Sequence, residues 1–116
     1  MPKLLVTGYL DDFGRRVELA KALIAACVAV PELKLKPDDI LVSFGSQWYG
    51  RPLIDTHRVL MIEVSCLSDE PERTREVKQR LADELRDTGR LYCSNKTEVF
   101  IYPPFDRTRG AYSESE

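Results

Sequence analysis

Two short runs, Leu4-Leu5-Val6 and Val59-Leu60-Met61-Ile62, constrain this chain more than any other feature. Successive side chains of a strand point to opposite faces. A run that is apolar at odd and even positions alike therefore asks for cover on both faces of its sheet. A chain of 116 residues builds one core, with little left over for a second. Any sheet holding these strands must find its second cover outside its own fold.

The elements between the runs have a regular order. Lys3 to Tyr9 reads as a strand, and Asp11-Asp12-Phe13-Gly14 as a turn in which Asp11 or Asp12 caps the next helix. Val17, Ala20, Leu23, Ile24, Cys27 and Val30 recur at helical spacing, and Pro31 ends that helix. A second strand follows over Ile40 to Phe44. Gly45 to Pro52 is turn-rich and reads as a hairpin or extended loop holding the only tryptophan, Trp48. Arg58 to Cys66 is the strongest strand. Ser68-Asp-Glu-Pro71 reads as a helix start, with Pro71 near the first helical position. Val77, Leu81 and Leu85 share one helix face, and Thr88-Gly89 reads as the stop. Glu98 to Tyr102 forms the last strand, closed by Pro103-Pro104.

This is β-α-β, linker, β-α-β, within a single domain spanning 1–116. The halves run over about 2–50 and 57–105, and a frayed acidic tail follows over about 107–116. Right-handed crossovers make each half a parallel strand pair with its helix on one face. The expected class is α/β (α+β): a four-stranded mixed sheet with two helices on one face. Its bare face is expected to be covered by further copies of the chain.

Charge and cysteine usage narrow the function. The formal net charge of −2 gives no reason to expect nucleic acid or an anionic membrane as partner. The longest apolar stretch, Leu19 to Val30, holds Lys21 and is too short to span a bilayer. The start lacks the apolar region of a signal peptide, so a cytoplasmic protein is expected. Cys27, Cys66 and Cys93 are far apart and His57 is the only histidine. Inert thiols in a reducing compartment are expected, with neither a metal site nor a cofactor.

Pro2 directly after the initiator methionine, in Pro2-Lys-Leu-Leu-Val, opens the first strand. With Asp39-Ile-Leu-Val-Ser-Phe, Val59-Leu-Met-Ile-Glu-Val and Glu98-Val-Phe-Ile-Tyr, it gives a chain that resembles the tautomerase superfamily from Pro2 to about Phe105. That resemblance implies a homotrimer whose sheets line a central barrel, which would cover the bare face. It also implies keto-enol chemistry on a small 2-oxo or 2-hydroxy-unsaturated carboxylic acid, without a cofactor. Pro2 would be the general base once Met1 is removed, because only then does it carry a free secondary amine. Burial near cationic groups disfavours the charged form of such an amine and poises it to take a proton from carbon.

The resemblance extends to substrate contacts. Arg73, at the start of the second helix, aligns with a carboxylate-binding arginine of the dehalogenase branch. A guanidinium holds a carboxylate bidentately. Arg15 and Arg16 follow the first strand, near where smaller members place a substrate arginine. Arg51 lies in the hairpin expected to reach a neighbouring subunit. Trp48 is a candidate pocket wall or intersubunit contact. Phe100 and Tyr102 stand where the migration-inhibitory-factor branch has a tyrosine and an asparagine, so the substrate of that branch does not carry over. Glu98 begins a strand and leaves no secure water-activating acid, which ranks hydration, dehalogenation and decarboxylation below tautomerisation. The other class of reading is a non-enzymatic β-α-β-β-α-β binding or regulatory module, such as a ferredoxin-like domain. That module would differ in strand order and would pair its strands antiparallel.

Overall fold

The computed structural model describes residues 2–8, 13–45, 59–68, 70–93 and 96–104. Strand β1 (Lys3–Thr7) is followed by helix α1 (Phe13–Val28), strand β2 (Leu41–Gly45), strand β3 (Val59–Ser65), helix α2 (Arg75–Tyr92) and strand β4 (Lys96–Ile101). The sheet order is β2-β1-β3-β4. β1 runs parallel to β2, β3 runs parallel to β4, and the two pairs meet antiparallel at β1 and β3. Each half is the expected parallel pair with its helical crossover. This arrangement is not the antiparallel pairing of a ferredoxin-like module.

Both helices pack on one face. Leu4 and Val6 of β1, and Leu60, Ile62 and Val64 of β3, turn toward it and are fully buried. Leu19, Leu23 and Cys27 of α1 meet them from above, with Val77, Leu81 and Leu85 of α2. The last three are spaced four residues apart, so one helical stripe serves the whole contact. Among the described residues no helix is long and apolar enough to cross a membrane.

The sequence places both ends of α2 wrongly, for two separate reasons. Pro71 does not open the helix. The Arg73 N–H donates to the Glu70 carbonyl at 2.9 Å, closing a turn with Pro71 in its second position, where a fixed φ suits it. The helix begins after Thr74, whose hydroxyl accepts from the Val77 N–H at 3.3 Å as an N-cap. Gly89 does not end the helix either, which runs on to Tyr92. A Cβ at Gly89 would stand 3.1 Å from the Leu60 and Thr97 side chains and 3.5 Å from Ile62. Glycine here allows α2 to approach the sheet closely.

Among the described residues, no element covers the opposite sheet face. Leu5, Leu41, Phe100 and Tyr102 are 39%, 50%, 42% and 45% exposed on it. Polar residues interleave them: Lys3, Ser43, Glu63, Ser65 and the Lys96–Glu98 ion pair at 3.1 Å. The cover this face invites is therefore mixed in polarity rather than a second oily core.

All three cysteines are unpaired. Burial pushes the Cys27 thiol up to about 12, because the thiolate loses its hydration there. Cys27 is expected to resist a thiol reagent near pH 8 until the protein is unfolded. Peptide mass mapping checks this, and native labelling of Cys27 as fast as that of exposed Cys66 would contradict it.

Candidate functional site

Strand register gathers some of the candidate residues, Pro2, Phe100 and Tyr102, toward one end of the sheet. Lys3 opens β1 opposite Leu41, the start of β2, and opposite Ser65, the end of β3. Val64 faces Ile101, so β4 finishes at the same end. Pro2 lies just beyond, buried, with its carbonyl accepting from the Leu41 N–H at 3.1 Å. That bond ties Pro2 to the start of β2 through its carbonyl and makes no demand on its nitrogen.

Arg73 reaches the same end from the β3–α2 connection. It precedes the helix by two residues rather than standing within it, since Thr74 is the cap. Its Nη1 donates to the Ser68 carbonyl at 2.9 Å and to the Ser68 hydroxyl at 2.7 Å. Its Nη2 donates to the Leu33 carbonyl at 2.9 Å, in the connection between α1 and β2. Nε is buried and has no partner among the described residues. A guanidinium carries five N–H donors, so Nε–H and one N–H of Nη2 are left unfilled. All three acceptors are neutral. Elsewhere the chain supplies carboxylates to its arginines: Glu32 to Arg80, Asp83 and Asp87 to Arg86, Glu18 to Arg15. Among the described residues, Arg73 is given none.

Phe100 and Tyr102 stand on the bare face of β4 near this end. Phe100 pairs with Glu63 of β3. The Tyr102 hydroxyl donates to the Glu63 carboxylate at 3.0 Å, and the Tyr102 N–H donates to the Val64 carbonyl at 2.9 Å. The hydrogen bond to Glu63 raises the Tyr102 phenol above its ordinary value, with burial and the carboxylate charge adding in the same sense. A raised phenol keeps its proton longer in the folded chain than in the unfolded one. Its stabilising contribution is thus full below the ordinary phenol range and is lost as pH rises through the raised value. Ultraviolet titration is expected to show Tyr102, assigned by Tyr102→Phe, ionising later in the wild type than in Glu63→Gln. Identical curves would contradict it.

Arg15 and Arg16 are at the other end. They open α1, which follows the far end of β1, about 15 Å from Pro2 at ~3.3 Å per strand residue. Arg15 lies 5.3 Å from the Tyr92 ring centroid and 3.5 Å from Glu18. Arg16 buries an Nε with no partner among the described residues. Within one chain neither shares an end with Pro2. Arg51 and Trp48 lie outside the described residues. No cluster of His, Cys, Asp or Glu able to hold a metal occurs among the described residues.

Sequence reading missed three parts of this end. It singled out neither Glu63 nor Leu33 and placed Ser68 in a helix start. Only Glu63 carried a signal: a carboxylate in the strongest apolar run needs a partner.

No protein-family model matches the chain, and no curated protein matches it in sequence. Solved structures do. A fused 4-OT, crystallised as an asymmetric trimer, is 17% identical over 86% of this chain and 84% of its own, with a TM-score of 0.68. FG41 malonate semialdehyde decarboxylase inhibited by 3-bromopropiolate is 17% identical over 99% and 91%, with a TM-score of 0.62. A macrophage migration inhibitory factor-like protein from Entamoeba histolytica is 11% identical over 98% and 96%, with a TM-score of 0.64. All three belong to the tautomerase superfamily, and this chain has that superfamily's fold.

Proposed function

We propose that this chain is a cofactor-independent tautomerase, acting on a small 2-oxo or 2-hydroxy-unsaturated carboxylic acid, with Pro2 as general base after loss of Met1. The observation that carries this reading is a buried Pro2 at the sheet end where Arg73, among the described residues, is given no carboxylate. The Pro2 nitrogen takes a proton from the carbon beside the substrate carbonyl. The C–H electrons become a C=C bond and the carbonyl π electrons move to oxygen as an enolate. The carbonyl re-forms as the same proton is returned at the far carbon of the conjugated system. In the enol-to-keto direction the proton taken is that of the enol hydroxyl. Burial disfavours the charged amine and so keeps the base available. The charge of the Arg73 guanidinium and its unfilled Nη2–H donor hold the substrate carboxylate.

A homotrimer closes the site in this reading. The bare face with Leu5, Leu41, Phe100 and Tyr102 is the surface for it, and the fused 4-OT neighbour forms a trimer. Arg15, Arg16 and Arg51 then reach a Pro2 from a neighbouring copy, with Trp48, Phe100 and Tyr102 as pocket walls. Three free thiols suit a reducing cytoplasm.

Addition of water or decarboxylation is the second reading, and the Glu63–Tyr102 pair favours it. It supplies a carboxylate able to orient and deprotonate water on the face where Phe100 stands.

An ultraviolet assay of enol-to-keto conversion, run on a small panel of 2-oxo acid enols with protein shown by intact mass to lack Met1, tests the first reading. Mass of the product separates isomer from hydrate or carbon dioxide loss. No conversion above the buffer rate would overturn it, as would retention of Met1 in active protein. A monomer by light scattering would remove the trimer.

A further inference from the structure

We propose that Ser68 is a positioning residue for the Arg73 guanidinium, setting the affinity of the site for carboxylate ligands. This rests on Arg73 as the carboxylate-holding residue. Arginine side chains are flexible, and an arginine that waits for a ligand must be held without being neutralised. Ser68 does this with two acceptors on one nitrogen, its carbonyl at 2.9 Å and its hydroxyl at 2.7 Å from Nη1.

The third acceptor completes the hold from another part of the chain. Lys34 takes a left-handed φ of 53° at the close of the 3-10 turn Pro31–Leu33, and its N–H donates to Pro31. The Leu33 carbonyl is thus left outside that turn bond, while its side chain is sunk in the core. It accepts from Nη2 at 2.9 Å. Three points define the guanidinium plane and so fix the direction of the remaining Nη2–H donor, with Nε–H buried behind it. None of the three carries charge, so the cation stays available. The two backbone acceptors survive most substitutions. The Ser68 hydroxyl is the one acceptor that a side-chain change removes cleanly, and it makes the shortest of the three bonds.

Pyruvate is the probe, followed in the intact protein by NMR at the Arg73 Nε–H signal, which is assigned by its loss in Arg73→Lys. Pyruvate is expected to shift that signal in the wild type. Ser68→Ala is expected to weaken pyruvate binding about 2- to 12-fold, the net worth of one ordinary hydrogen bond on the fold-change scale. Ser68→Thr should restore it to within about twofold, since the hydroxyl returns. Thermal midpoints of the three proteins should stay close. Unchanged pyruvate affinity in Ser68→Ala overturns the role of Ser68, as does a lowered midpoint with affinity intact. Pyruvate that leaves the Arg73 signal unmoved, or binds Arg73→Ala as tightly as wild type, overturns Arg73 as the anion holder and Ser68 with it.

Discussion

Replacing Pro2 by alanine is expected to lower kcat/KM for enol-to-keto conversion by about 10²- to 10⁴-fold, the contribution of a positioned general base. The stability of the protein should barely change. Pro2 is tied to the fold by its carbonyl, which accepts from the Leu41 N–H, and alanine keeps that carbonyl. What alanine loses is the ring that fixes φ and the secondary amine that the ring carries. A primary amine on a freer backbone is a less well placed base. If arginine holds the substrate, as proposed, the loss should fall in kcat more than in KM. A form that keeps Met1 should be inactive outright, since the Pro2 nitrogen is then an amide without a basic lone pair. The pH profile of the wild type should fall on the acid side as the amine gains its proton. Equal rates for wild type and Pro2→Ala would remove Pro2 from the site and leave the fold untouched.

The second large effect lies in the core. Leu85→Ala is expected to destabilise the protein by about 2–5 kcal/mol, the range for removing a buried leucine and leaving a cavity. Leu85 is 0% exposed, on the α2 stripe with Val77 and Leu81. The sheet beneath is rigid, so the space left by the side chain closes only in part. Leu91 on the same helix is 82% exposed, and Leu91→Ala should move stability by no more than about 0.5 kcal/mol. Urea unfolding at one fixed protein concentration compares the two, since assembly makes stability depend on concentration. A Leu85→Ala loss below about 1 kcal/mol would mean that α2 does not pack as described.

Much of the frame was legible because it rests on periodicity. Val77, Leu81 and Leu85 repeat at four residues and are buried together. Ile40, Val42 and Phe44 turn to the core side while Leu41 is exposed, as strand alternation requires. The ends of α2 were not legible, because Pro71 and Gly89 each have more than one physical use. Proline fits a turn as readily as a helix start. A buried glycine permits close packing as readily as it ends a helix, and only the position of Leu60 and Thr97 decides between them.

The candidate site divides the same way. Pro2 and Arg73 were named through the resemblance to the tautomerase superfamily. Their surroundings come from contacts across the chain, Arg73 to Leu33 over 40 residues and Tyr102 to Glu63 over 39. Such pairs leave no local pattern, since each partner is unremarkable in its own segment.

The sequence by itself determined two β-α-β units and doubly apolar strands that call for cover, because apolar spacing is a local property of the chain. The tertiary structure alone decided the strand order, with β1 beside β3 in the middle and β2 and β4 at the edges. The antiparallel meeting of β1 and β3 brings Arg73 and Tyr102 to the Pro2 end, while the length of β1 alone keeps Arg15 and Arg16 at the other. The physical reason is that strand direction sets which loop ends become neighbours, and direction is chosen by how the two units share one sheet.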